Sequence, residues 1–489
     1  MHHKTEMLII GAGFSGLTMA LEARKRGLSD LAILEKADDI GGTWRENTYP
    51  GVACDVPSHL YSMATHPNPH WSRAYAGGAE IQAYLKGVAQ HEGLYDLCHF
   101  GQELKAAKWD GARWQVETMD GQSWSARFLV SAIGALHHPS IPDLPGADGF
   151  PGPCFHSAQW DHDVDLTGKR VAVVGTGASA VQFVPEIAKL ARHVTIFQRS
   201  APYVMPRPDG PIAPWVRKLY AHLPLLPRIR RKLIFMFFEF RHRVFRGEER
   251  AMNFALKMWR KSLEGAIIDP EERRILTPDY QIGCKRILSS NDWYPTLARD
   301  NVSVVPQGVA RIDRDTLITS DGTKVQADAL IWGTGFHVTN VVERLDITGS
   351  GGLTLRTAWA DGMNANLGTA IAGFPNFFIL LGPHTGLGHN SVVLMIEAQV
   401  GHIGRVLSEM QRKGIAAITP DAKKQAGFTQ EMQDRHADSV WQTGGCTSWY
   451  IDEDGRNTTL WPGTVGEYQA RMAQSGLEQY TTVGQETAR

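Results

Sequence analysis

Two short glycine runs carry the first chemistry legible in this sequence. Gly11-Ala-Gly13-Phe-Ser-Gly16 lies near the start, and Gly175-Thr-Gly177-Ala-Ser179-Ala180 follows far downstream. In such a run the backbone turns tightly, lets a pyrophosphate approach its N–H groups and seats it at a helix N-terminus. Glu35, 19 positions after Gly16, can accept hydrogen bonds from ribose hydroxyls, and a carboxylate there repels a 2′-phosphate. The first loop therefore suits FAD or NAD. The second has Arg199 at the same spacing, followed by Ser200. A guanidinium fork and a hydroxyl suit a 2′-phosphate, so the second loop favours NADPH over NADH. One loop would suit a generic dehydrogenase. Two suit a chain that holds two nucleotides at once and passes electrons between them.

The elements that must position these loops are also legible. Glu6 to Ile10 is an apolar run that fits a buried parallel strand, the first loop follows, and a helical pattern runs to about Gly27. Leu31 to Leu34 is a second strand ending at Glu35. The layout repeats with a strand over Arg170–Val174, a helix over Ala178–Leu190 and a strand over Val194–Phe197. Phe128 to Ile133 reads as a further strand. The proline- and glycine-rich run His138 to Gly146 reads as a linker. Later strands are expected at Ala329–Trp332 and Asn376–Leu381, and a long helix from Ser391 to about Lys413. The expected fold is α/β, with two Rossmann-like dinucleotide-binding domains and a helical insertion in the second. Residues 1–140 and 326–489 form the FAD domain, 141–205 and 281–325 the NADP domain, and 206–280 the insertion.

Bulk composition narrows the class. The 489 residues exceed one ordinary core. With 50 basic and 51 acidic residues there is no charge excess to attract nucleic acid. The five cysteines are scattered, and none forms Cys-x-x-Cys. Thiol redox chemistry and metal binding lack their usual spacing, which fits a reducing, cytoplasmic setting. No segment reaches the roughly 18 uncharged apolar residues of a spanning helix. The stretch Arg228 to Arg246 sets aromatics inside a basic frame. It is expected to pack on a domain face with its basic residues in solvent and without a membrane contact; a membrane-surface helix or a subunit contact is the alternative.

Between the two loops runs Phe150-Pro-Gly152-Pro-Cys-Phe-His156-Ser-Ala-Gln-Trp160-Asp161. With it the chain resembles, over essentially its whole length, the type I flavin-dependent Baeyer–Villiger monooxygenases, relatives of the flavin-containing monooxygenases. Trp160-Asp161 stands where N-oxygenating relatives usually have Tyr or Phe. A second shared motif is Gly41-Gly-Thr43-Trp44-Arg-Glu-Asn-Thr-Tyr49-Pro50-Gly51-Val-Ala-Cys-Asp55. Gly283-Cys-Lys285-Arg286 matches a Lys-Arg pair of the family. Gly333-Thr-Gly335 matches an Ala-Thr-Gly motif lining the flavin, with Gly in place of Ala. Gly444 to Tyr450 is similar to a C-terminal segment near the substrate.

The resemblance implies FAD in the first site and NADPH in the second. It implies conversion of ketones to esters or lactones with O2 through a C4a-peroxyflavin. Arg286 would be the catalytic arginine, Asp55 its carboxylate partner, and Lys285 a further contact to the 2′-phosphate. The stretch around His156 would couple domain movement to catalysis without a proton-transfer role. A fixed guanidinium suits this chemistry because it keeps its proton beside a peroxide anion and an adduct oxyanion. Three rival readings stand beside this one: a flavin monooxygenase making S-oxides or N-oxides; a pyridine-nucleotide disulfide reductase, which needs a dicysteine near the flavin; and a nucleotide sensor without catalysis. The particular ketone or sulfide and the oligomeric state have no sequence signal.

Overall fold

The structure is a computed structural model and describes residues 2–338 and 346–483. It is a mixed α/β protein whose two main sheets each carry one glycine loop. The first sheet has eight strands. His2–Ile10 lies at its centre, parallel to Leu31–Glu35 on one side and Ser123–Ser131 on the other. Met7, Leu8 and Ile9 are fully buried, which explains why this strand reads as a continuous apolar run rather than an alternating one. The far edge of Ser123–Ser131 is shared. Trp114–Thr118 pairs antiparallel with its first half, and Phe377–Ile379 pairs parallel with its second.

The second sheet is parallel throughout, in the order Val302–Val305, His193–Phe197, Arg170–Val174, Ala329–Trp332, Cys154–His156. Its fourth strand corrects one sequence expectation. Ala329–Trp332 was assigned to the first domain, which was expected to resume at residue 326. Its four residues are buried, with Arg170–Val174 on one side and Cys154–His156 on the other. The chain therefore returns to the first sheet only beyond Trp332. The outgoing and returning segments lie side by side. The His337 N–H donates to the His138 carbonyl at 3.0 Å and the Ser140 N–H to the Gly335 carbonyl at 2.8 Å, and the Thr334 hydroxyl donates to the Ser140 carbonyl at 2.5 Å.

The insertion consists of helices Pro214–His222, Leu225–Phe245, Glu249–Ala266 and Pro270–Ile275. A short parallel pairing of Val204–Met205 with Leu288–Ser289 closes its base. The 21-residue helix differs from its sequence reading. Arg228, Arg230, Lys232 and Arg243 face solvent as expected, but two charges turn inward and several apolar residues stay outside. Arg231 points inward, donating to the Leu60 and Ser62 carbonyls and to Glu397 at 2.7 Å. Glu239 is also turned inward, accepting from Asn390 Nδ2 and from the Val465 and Gly466 N–H groups. Leu233, Met236, Phe237 and Phe240 are exposed. Phe238, Val244 and Phe245 are buried, so the helix has apolar residues on both faces, and charge pairing helps hold the inner one.

Behind the first sheet, helix Val392–Lys413 lies against helix Phe14–Lys25, with Gly404 admitting Glu22 and Arg26. Ser391 caps its start and Gly414, at φ +65°, ends it.

Replacing Arg231 with Met should destabilise the fold by about 2–3 kcal/mol, because it strips charged hydrogen bonds from two carbonyls and a carboxylate. Denaturant titration of the flavin-loaded protein would measure it. An unchanged midpoint would mean that the inward charges do not hold this helix.

Candidate active site

The two glycine loops are conformational twins. Gly11 and Gly175 both have φ +107°, a region that side chains avoid. The Gly11 N–H donates to the Leu34 carbonyl at 2.7 Å, and the Gly175 N–H to the Phe197 carbonyl at 3.0 Å. A Cβ on Gly16 would strike the Gly11 carbonyl, and one on Gly175 the Gly333 carbonyl. Gly13 and Gly177 are the N-caps of helices Phe14–Lys25 and Ala178–Ile187. Each loop thus presents main-chain N–H groups at the positive end of a helix dipole.

Glu35 is buried at the end of the second strand. Its two oxygens accept from the Ala12 N–H at 2.8 Å and the Ala37 N–H at 3.0 Å, which ties the first loop to the strand end. Gly41 and Gly42 fold over this loop. The Gly41 N–H donates to the Ala12 carbonyl, and a Cβ on Gly42 would crowd Gly13. Thr43 begins the short helix Thr43–Glu46 with its side chain exposed, whereas Trp44 is buried and donates from Nε1 to the Tyr61 hydroxyl at 3.2 Å.

At the second loop the structure gathers the expected cations. Lys285 Nζ donates to Ser200 Oγ at 2.7 Å. Burial lowers the Lys285 ammonium from its ordinary value, and Arg199 nearby lowers it further. Arg199 is exposed. Two repelling cations and a hydroxyl form a cradle that an anion would relieve. Ser179 lies in the first turn of the helix, where Tyr49 approaches it.

Asp55 and Arg286 are joined directly. Arg286 donates from Nε at 2.9 Å and from Nη2 at 2.5 Å to the same oxygen, Oδ2. Burial alone would raise the Asp55 carboxyl. Arg286 outweighs burial, and the group titrates below its ordinary value. Asp55 in turn raises the Arg286 guanidinium. Arg241, from the inner side of the 21-residue helix, adds a second positive charge that acts on both.

Several residues that organise the site have little or no sequence signal. Gln182 clamps the Asp55 segment to the second loop's helix. It donates to the Ala53 carbonyl at 2.9 Å and accepts from the Tyr49 hydroxyl at 3.0 Å. Trp160 packs on Phe155 and on Phe183 of that helix, and His162 Nε2 contacts Thr48 Oγ1 at 2.8 Å. The segment after His156 therefore touches both halves of the site. His156 itself is buried, which lowers its imidazole to about 4, so it is neutral at ordinary pH. Gly335 stands at the returning crossing, and Gly333 packs against Ala180, which accounts for its lack of a side chain.

The cysteine reading needs correction. Cys284 and Cys446 form a disulfide, while Cys54, Cys98 and Cys154 are free. The partners are 162 residues apart, so no spacing rule could have paired them. The bond fastens the segment carrying Lys285 and Arg286 to Gly444–Tyr450, where buried Tyr450 lies within electrostatic reach of Arg286. Among the described residues no cluster of His, Cys, Asp and Glu could hold a metal.

Paired nucleotide loops around a fixed arginine define a two-nucleotide oxidoreductase. Residues 8–228 match the family model described as pyridine nucleotide-disulphide oxidoreductase. This match ends before either partner of the disulfide. Over 98% of its length the chain is 44% identical to a Baeyer-Villiger monooxygenase of Streptomyces coelicolor, covering 93% of that protein. It is 40% identical to one from Pseudomonas aeruginosa over 97% of its length and 91% of the relative's. Among solved structures, an oxidized steroid monooxygenase bound to NADP superimposes with a TM-score of 0.88 at 31% identity, covering 98% of this chain and 99% of that one. A closed cyclohexanone monooxygenase gives 0.86 at 26% identity, covering 99% of each chain. The chain belongs to the Baeyer–Villiger monooxygenases.

Replacing Arg199 with Ala should raise the Michaelis constant for NADPH by about tenfold or more and leave that for NADH within about twofold, since only the former presents a 2′-phosphate. Parallel initial-rate series with the two nucleotides would read this. A second expectation follows from the depressed Asp55 carboxyl. Its contribution to stability is complete above the unfolded carboxylate value of about 4, and is lost only as pH falls through the lower folded value. The stability gap between the native protein and Asp55→Asn should stay constant from neutral pH down to about 5 and close below about 4. Thermal melts across pH would show a gap closing near neutrality if the pairing were wrong.

Proposed function

We propose that Arg286, held in place by Asp55, is the cation that stabilises negative oxygen during ketone oxidation in this enzyme. The protein is an FAD-dependent NADPH monooxygenase that converts ketones to esters or lactones with O2. The single observation that carries the residue assignment is the two-point grip of Asp55 on Nε and Nη2 of Arg286.

The residues present fit both nucleotides. Gly11, Gly13 and Gly16 offer a pyrophosphate cradle, with Glu35 at the ribose of FAD and Thr43, Trp44 and Gly335 along the flavin. Gly175, Gly177 and Ser179 offer the second cradle, with Arg199, Ser200 and Lys285 on the 2′-phosphate of NADPH. Bound FAD, once reduced by NADPH, supplies the reaction with O2. Arg286 does the rest by charge. It keeps its proton at any working pH, and Asp55 leaves its Nη1 as a donor toward an anionic oxygen. As the ketone carbonyl is attacked, negative charge develops on the substrate oxygen, and a fixed donor stabilises that charge more than it stabilises the neutral ketone. Asp55 also limits the cost of holding a guanidinium in a partly dry site.

The same reading makes the two sheets two Rossmann-like domains. FAD sits on residues 1–140 and the segment beyond Trp332, and NADPH on residues 141–332, with the 206–280 insertion covering the substrate. A cytoplasmic setting, where NADPH is regenerated, belongs to the same reading, and the Cys284–Cys446 disulfide is a feature that a reducing compartment does not account for.

Arg286→Ala should retain FAD and still consume NADPH, but lose ester formation by about 10²–10³-fold, with reducing equivalents leaving as hydrogen peroxide. A panel of ketones and sulfides, followed by product mass, provides the test. Ester formation at the native rate in the variant would remove Arg286 from the chemistry. Native protein that oxidises only sulfides would remove the ketone assignment.

A further inference from the structure

We propose that the outer face of the helical insertion docks this enzyme on an anionic lipid surface. The proposal concerns where the enzyme works and does not depend on the reading of the reaction. On helix Leu225–Phe245 the exposed residues Leu225, Ile229, Leu233, Met236, Phe237 and Phe240 recur at helical spacing. At about 100° per residue they cover one continuous arc of about 120°. Phe237 is 63% exposed and Phe240 61%. The neighbouring helices also expose large apolar residues, Trp215 and Leu219 on one and Phe254 and Met258 on the other. An apolar arc on a solvent-facing helix calls for a covering surface.

Charge identifies that surface. The insertion, residues 206–280, contains sixteen Lys and Arg against nine Asp and Glu, and its three longest helices, within residues 214–266, thirteen against four, in a chain with 50 basic and 51 acidic residues overall. The insertion is thus strongly positive and the remainder of the protein negative. Exposed Arg230 and Lys232 fall at the two borders of the apolar arc, where they reach headgroups while the aromatics enter the acyl boundary. A second copy of the chain is the poorer occupant. A twofold contact sets the same patch against itself and brings two strongly positive faces together. Nor does the helix span a bilayer: among the described residues none is long and apolar enough. Arg231 and Glu239 on its inner face are bound to the protein. The inner side also carries Arg241 toward Asp55 and Arg286, so docking would set the substrate side of the enzyme against a phase where apolar ketones concentrate.

The flavin-loaded enzyme should float with vesicles of phosphatidylcholine mixed with phosphatidylglycerol, bind vesicles of phosphatidylcholine alone far more weakly, and release from the former as salt rises. The double variant Phe237→Ser, Phe240→Ser should lose binding by about tenfold or more. Arg230→Gln with Lys232→Gln should lose several-fold on anionic vesicles and little on neutral ones. Flavin content reports that both variants are folded. The proposal is overturned if the native enzyme stays with the no-lipid control on anionic vesicles. It is equally overturned if both variants float like the native enzyme, or if sedimentation shows a dimer that does not bind vesicles and that the Phe variant dissociates.

Discussion

The ion pair between Asp55 and Arg286 is the constraint around which the rest is arranged. A guanidinium in a partly dry site is costly unless a carboxylate accompanies it, and the two residues come from distant parts of the chain. Asp55 ends the glycine-rich segment that folds over the first loop. Arg286 follows the helical insertion and stands beside Lys285, which belongs to the second loop's anion cradle. Bringing the pair together therefore requires the two sheets to be in register. Gln182 and Tyr49 supply that register from one side, and the contact of His162 with Thr48 supplies it from another. The disulfide holds the Arg286 segment against Tyr450 from a third.

Polarity explains why the cations do not neutralise one another's usefulness. Among the described residues no carboxylate is bonded to Arg199 or Lys285, so their mutual repulsion favours binding of a phosphate. Arg286 has one, so it stays charged without a ligand. Arg241 adds positive potential to the same region. One site thus contains a cation pair that awaits an anion and another cation already fixed. Under the proposed roles, that distinction would separate nucleotide binding from oxygen chemistry on adjacent residues.

Much of this was legible because local rules governed it. Strands Arg170–Val174 and Ala329–Trp332 were bounded correctly, since continuous apolar runs ending at glycine have few other readings. The loops, Glu35, Arg199 and Ser200 followed from a fixed spacing, and Asp55 and Arg286 from family motifs. What was not legible was set by tertiary contact. Ala329–Trp332 looks the same in either sheet, and only its neighbours decide. Nothing marks Gln182 as a clamp, because its two partners lie about 130 residues away. Cys284 and Cys446 lie in unrelated motifs. Arg228, Arg230, Lys232 and Arg243 of the 21-residue helix do face solvent, as charged residues do by default, but Arg231 and Glu239 find carbonyls, a carboxylate and backbone N–H groups inside, which no local pattern marks.

The insertion begins and ends at one doorway, the short pairing of Val204–Met205 with Leu288–Ser289. The larger unit that contains it also begins and ends at one doorway, where the 138–140 and 334–337 segments meet. The chain is nested like brackets within brackets. Lengthening or shortening what lies inside a closed bracket costs little loop entropy and leaves what lies outside in place. Arg286 sits just inside the inner bracket, two positions before it closes, where the ion pair to Asp55 and the Cys284–Cys446 disulfide tie its segment to parts outside. Descendants of this scaffold could exchange their entire helical cover for another while the guanidinium stays where it is.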